Sequence, residues 1–189
     1  MKVWKFTHWS LNEFAGLFPP EGRAANMLDA DGRPLVWKAP VRVAVDNEPY
    51  GKNHRPRVDI SHLAHGSLVF NEKAKSALGS YLERFGQFLP LDVEGHREWF
   101  YHVTNLIDCI DPVASKKKPV TGIIEKEVFV ASKVPQTAAL FKDPRTAIVF
   151  MYANDPAKHE LEKLIADAGL TGAAFEKPGS PQRRLRESR

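Results

Sequence analysis

The sequence predicts an α+β fold, with a mainly antiparallel sheet, two principal helices and a loop-rich N-terminal part. Three observations predict it. Apolar residues recur at helical spacing in only two stretches, near 72–85 and 157–168. Elsewhere they come in short β-branched and aromatic runs separated by turn residues. The order is strands, helix, strands, helix, strand, which is not the regular βαβ alternation of a parallel sheet.

Residues 1–65 hold Pro19, Pro20, Asp31, Gly32, Pro34, Pro40, Pro49, Gly51 and Pro56, a density of turn formers that implies short elements joined by loops. Within them Val3–Phe6 and Val41–Val45 read as strands, the second by alternation. Asn71 is a good N-cap for a helix over about 72–85, in which Ala74, Ala77, Leu78, Tyr81, Leu82 and Phe85 share a face and Gly86 is placed to end it. Gln87–Leu91 follows as an extended segment, and the aromatic, β-branched run Trp99–Thr104 as a strand. Lys116, Lys117, Lys118 and Pro119 mark a loop. Ile123–Ala131 and Thr146–Tyr152 read as two further strands. Their apolar runs, Val128–Val130 and Ile148–Met151, suggest a central, covered position in a sheet. Asp155 is placed to cap the second helix and Pro156 to start it, where a missing N–H costs nothing. Ala157, Leu161, Leu164, Ile165 and Ala168 form its apolar stripe, Gly169 ends it, and Ala173–Phe175 adds an edge strand. The chain thus divides into a loop-rich part with short strands (1–65), an α+β part (66–178) and a basic tail (179–189) expected to be disordered.

Composition narrows the function classes. The 189 residues fit one domain or one domain with an elaborated end, and no stretch approaches the roughly 20 apolar residues of a membrane span. The N-terminus has no apolar run of a secretory signal, and the single cysteine, Cys109, suits a reducing compartment, so a cytoplasmic location is expected. The net charge of +4 is unevenly spread. The tail carries four arginines against Glu187, a net +3, which leaves +1 for residues 1–178. A near-neutral body offers no broad electrostatic footprint for a phosphate backbone.

Signatures of catalysis are missing from the sequence. It contains no Gly-x-Gly, no phosphate-binding Gly-x-x-x-x-Gly-Lys and no Gly-x-Ser-x-Gly elbow. No lysine has an acid two residues before it, the spacing that would put both side chains on one face of a strand in a metal-dependent nuclease. Asp59, His62 and His65 could share a helical face as metal ligands, but no fourth ligand stands out and polar loop histidines are the simpler reading. Cys109 with His102 or His96 could mimic a thiol–imidazole pair, yet its apolar neighbours favour a small buried residue. Gly169–Gly172 has the Gly-x-x-Gly spacing of an RNA backbone clamp but sits where a helix cap and turn explain it. No cofactor, metal or catalytic residue is therefore expected.

One succession of segments carries a resemblance. Leu68-Val69-Phe70-Asn71-Glu72-Lys73-Ala74-Lys75-Ser76-Ala77-Leu78 is followed by Gly86-Gln87-Phe88-Leu89-Pro90-Leu91, then Val103-Thr104-Asn105 and Ile107-Asp108-Cys109-Ile110-Asp111, a β-rich stretch, and Leu164–Phe175. This order is similar to that of the eleventh immunity-protein family of bacterial polymorphic toxin systems, formerly a domain of unknown function. It covers roughly 110 of the 189 residues. The resemblance implies a non-enzymatic protein that binds a cognate toxin, encoded by an adjacent gene, and blocks its active site. It carries over no catalytic residue. The alternatives are a nucleic-acid-binding module led by the tail, and an unrecognised enzyme using the His54–His65 region. Loops vary most easily between partners, and aromatic and arginine residues are the usual hot spots. Candidate partner-binding residues are therefore Trp37, Tyr50, Arg55 and Arg57, with Lys116, Lys117 and Lys118 as a contact for an acidic partner.

Overall fold

The structure, a computed structural model, describes residues 2–9, 13–18, 30–37, 39–46, 55–64 and 66–179. Tyr50, His54, His65 and the basic tail beyond Gly179 lie outside the described residues. The strands are β1 (Val3–His8), β2 (Gly16–Phe18), β3 (Val41–Asp46), β4 (Ile60–Ala64), β5 (Ser67–Phe70), β6 (Gly86–Val93), β7 (His96–Val103), β8 (Lys116–Lys117), β9 (Ile124–Lys126), β10 (Leu140–Phe141), β11 (Tyr152–Asn154) and β12 (Ala173–Glu176). Helix α1 (Glu72–Leu82) lies between β5 and β6, and α2 (Asp155–Asp167) between β11 and β12. The fold class is α+β, as the sequence predicts.

The strands form a four-stranded sheet in the order β10-β11-β1-β12, a six-stranded sheet in the order β2-β3-β6-β7-β5-β4, and the separate pair β8-β9. The described pairings are antiparallel except β3 with β6. The change of texture at residue 65 does not separate the strands, since β1 sits between β11 and β12, and β2, β3 and β4 join β5–β7.

Alternation along the strands explains the core. Leu68, Phe70, Tyr101 and Val103 point to one face of the six-stranded sheet, where they meet Phe6, Leu140 and Ala153 of the other sheet and Leu78, Leu82, Ala157 and Leu161 of the helices. Val69 and Phe100, one residue out of phase, point to the opposite face with Leu17, Val43 and Leu91. A third cluster lies on the far face of the four-stranded sheet and contains Val3, Cys109, Ile110, Ile124, Phe141 and Tyr152.

Both helices start on an asparagine. Asn71 accepts from the Ala74 amide at 2.9 Å, as expected, and its Nδ2 donates to Asp59 at 3.0 Å. The helix stops at Leu82, short of Phe85, because the chain turns back there: the Phe85 amide and the Tyr101 hydroxyl both donate to the Leu82 carbonyl, at 2.9 Å each. Gly86 opens β6 rather than capping α1. A Cβ there would lie 2.3 Å from the His102 carbonyl oxygen, so the close approach of β7 requires glycine. The cap of α2 is Asn154, one residue before the expected Asp155. The Asn154 carboxamide accepts from Ala139 and Ala157 amides at 3.1 Å and donates to the carbonyls of Pro135 (2.7 Å) and Thr137 (2.6 Å). Asp155 instead begins the helix and accepts from the Trp4 indole at 2.7 Å.

Two expected strands are shorter than their apolar runs. Thr146–Phe150 is a turn, in which the Thr146 carbonyl accepts from the amides of Val149 and Phe150 at 2.9 Å. That local closure leaves no ladder, exposes Ile148 by half (52%) and delays the strand to Tyr152–Asn154. The stretch 123–131 is a strand only at Ile124–Lys126, and Lys116–Lys117, expected as loop, pairs with it. Among the described residues no helix is long and apolar enough to cross a membrane.

Candidate functional site

The described residues expected to bind a partner fall in three segments, at Trp37, at Arg55 and Arg57, and at Lys116–Lys118, with different roles. Trp37 is half-buried. Its ring stacks near parallel on Phe100, 5.9 Å between centroids, and it packs against the second core cluster. Arg55 is half-buried. Arg57 donates through Nη2 to both carboxylate oxygens of Glu98, at 2.8 and 2.7 Å. Burial pushes the Glu98 carboxyl above its ordinary value, and the Arg57 guanidinium pulls the other way. Arg57 thus answers a buried charge inside the fold, so it has a structural role besides any part in binding a partner. Lys116, Lys117 and Lys118 are exposed, with Lys116 Nζ 3.1 Å from Glu125.

Groups that could do chemistry are mostly tied internally. Asp59 accepts from Asn71 and from the amide and hydroxyl of Thr171 (2.9 and 3.0 Å). Burial would raise its carboxyl, but these bonds outweigh it and hold the group below the usual carboxylate value. Asp59 therefore joins α1 to the turn before β12. His62 lies on β4 with its ring 4.2 Å from His8 of β1. Among the described residues no group of three or more His, Cys, Asp or Glu is placed to hold a metal. Cys109 is buried, and burial together with the nearby Asp143 and Asp108 carboxylates pushes its thiol up to about 12. The Nε2 of His102 donates to the Arg33 carbonyl at 2.8 Å, and burial lowers this imidazole from its ordinary value. The Gly169–Gly172 segment is a turn whose carbonyls accept within the fold, Thr171 from Ile60 (3.0 Å) and Gly172 from Trp9 (2.7 Å). Its backbone is occupied, as the cap-and-turn reading requires.

Sequence reasoning missed four buried charges, Lys142, Lys5, Glu127 and Asp143. Lys142 is wholly buried, with Nζ 2.6 Å from the Ala30 carbonyl, and burial lowers its ammonium to about 8. Lys5 pairs with Glu127 at 2.8 Å and lies over the Phe150 ring at 3.5 Å, and the Tyr152 hydroxyl donates to the same carboxylate at 3.1 Å. Asp143 accepts from the amides of Cys109 (2.9 Å) and Ile110 (2.8 Å). A signal for the lysines did exist. Lys5 occupies an in-facing position in β1 between Trp4 and Phe6, and Lys142 directly follows Phe141 at the end of β10, places where a charge needs a partner.

The lysine run belongs to a projecting hairpin. Ser115 and Glu127 are buried at its base and Ile124 enters the third core cluster, while every other residue of 116–126 is exposed. Val113 and Val120 keep 92% and 96% of their surface in solvent, and Ile123 49%. An open groove elsewhere, about 470 Å³ and lined by Arg84, Phe85, Asn105 and Pro135 among others, has no buried polar side chain aimed into it that lacks a partner. No protein-family model and no curated protein matches this chain.

Proposed function

We propose that this is an immunity protein, which binds a cognate bacterial toxin in the cytoplasm and neutralises it by covering its active site. The observation that carries the proposal is the contrast just described. The nucleophile and most of the buried ionisable groups serve internal ties: Cys109 in a core cluster, Lys142 on a carbonyl, Glu98 on Arg57. Meanwhile a braced hairpin presents lysine and aliphatic side chains outward. A protein built this way works by contact and needs no chemistry of its own. The order of segments from Leu68 to Phe175, with its resemblance to toxin-binding proteins, points to the kind of partner.

The test is co-expression with the toxin encoded by the adjacent gene. Growth should be rescued through a direct complex of about nanomolar affinity or tighter. An absence of both rescue and complex would remove the proposal.

A further inference from the structure

We infer that the β8–β9 hairpin is the surface that engages the partner, and that it docks on an acidic, partly apolar face of a protein; this rests on the binding role proposed above. The hairpin is tied by hydrogen bonds along its strands, at its tip and at its base. Its strands pair at Lys116 with Lys126 and Lys117 with Ile124. Its tip closes through the Lys118 amide on the Ile123 carbonyl (2.8 Å) and the Gly122 amide on the Lys118 carbonyl (2.9 Å). Its base is bolted from several sides. The Val128 amide donates to Ser115 Oγ at 2.9 Å, the Asp111 amide to the Val128 carbonyl at 2.8 Å, and the Glu127 carboxylate takes Lys5, Tyr152 and the Gly179 amide (3.1 Å). A surface ordered in advance loses little conformational freedom on binding.

Charge identifies the partner. Lys116, Lys117, Lys118 and Lys126 against Glu125 give the hairpin a net +3, while residues 1–178 as a whole carry +1, so everything else in that span sums to −2. Positive charge is thus gathered on one arm of a body that is otherwise slightly acidic. The residue before the basic sequence 180–189, Gly179, is held against Glu127 at the base of the same arm.

Apolar content decides between a protein and a nucleic acid. Four of the nine large hydrophobics exposed among the described residues, Val113, Val120, Ile123 and Val128, fall in this one segment. Val120 and Ile123 lie on the hairpin itself and Val113 and Val128 flank its base, and exposed aliphatic groups gathered in one segment suit a protein face, where a phosphate backbone offers them nothing. The segment 113–126 also has no aromatic residue and no arginine to stack on a base.

The experiment uses the full chain and, as probe, an active-site variant of the adjacent toxin. Three proteins are compared with wild type after matched thermal melts: Lys116→Glu/Lys117→Glu/Lys118→Glu, Val120→Asp/Ile123→Asp, and Lys163→Glu on α2 as control. The triple change should slow association about tenfold or more at low salt, and wild type should lose more of its rate than the triple variant as salt is raised. The aspartate pair should speed dissociation about tenfold or more, and the control should match wild type. A wild-type complex unaffected by either hairpin variant overturns the hairpin assignment and leaves the binding role standing. No wild-type complex removes both. Duplex DNA and single-stranded RNA serve as further probes, and binding to them that the triple variant loses would replace the acidic protein face with a phosphate backbone.

Discussion

Lys142 places an ammonium where no surface is exposed, and its effect on stability has a definite sign. Its pKa falls from an ordinary 10.5 to about 8 in the folded protein. Between those values the unfolded chain holds a proton that the folded protein has released. Stability therefore rises with pH across that window, and the contribution is lost again as pH falls through 8. The full swing is at most about 3 kcal/mol. Urea melts of wild type and Lys142→Met at pH 7.5 and 10.5 should show the difference between them move toward wild type by about 1–3 kcal/mol. A difference that stays constant would mean the ammonium is hydrated. Arg57 makes the second case at this scale. Arg57→Glu brings a carboxylate against Glu98 and should cost about 2–4 kcal/mol, read from denaturant midpoints. The sequence shows that Arg57 and Trp37 are loop residues of hot-spot type. It does not show their partners Glu98 and Phe100, which lie about 40 and 60 positions further along the chain.

The two helices were legible because their apolar periodicity survives in the fold. The cap of α1, Asn71, was legible too, but that of α2 was not, since adjacent Asn154 and Asp155 both suit the position and only the tertiary neighbours choose. Asn154 wins by satisfying Pro135 and Thr137 as well as Ala157. Asn154→Ala should accordingly cost about 2–4 kcal/mol, and Asp155→Ala only about 1 kcal/mol. Equal costs in paired melts would reverse the assignment. Along α2, Leu161 is buried and Leu164 half-buried, so Leu161→Ala should cost about 2–5 kcal/mol and Leu164→Ala clearly less. The runs at 128–130 and 148–151 misled because an apolar stretch fixes neither how its backbone is bonded nor that every residue is covered, and Val128 and Ile148 stand exposed. Phe150 lies over Lys5 from a turn as well as it could from a strand. The hairpin's lysines were legible as a candidate contact, but its pairing was not, because strands of two and three residues leave no periodicity to read.

At the scale of the whole molecule, the division near residue 65 was a division of texture only. β1 pairs on one side with β11, Val3 opposite Asn154, and on the other with β12, His8 opposite Ala173. Deleting residues 1–8 should therefore abolish cooperative unfolding, seen as loss of a thermal transition by circular dichroism. Deleting 180–189 should leave the melting temperature within a few degrees, because Leu185 is the only large apolar residue in that stretch. A larger drop would mean that the tail is docked.

That placement of β1 also sets a timetable for manufacture. β1 leaves the ribosome well before its neighbours, which come about 150 to 170 residues later. At roughly 5–20 residues per second it waits on the order of ten seconds or more with its edges bare. A chain halted before Glu176 cannot complete the sheet, however much of the sequence it contains. For a protein proposed to guard its own cell, protection then begins only when the last strand is delivered, and a cell that shuts off translation early is left with no half-finished molecule able to stand in.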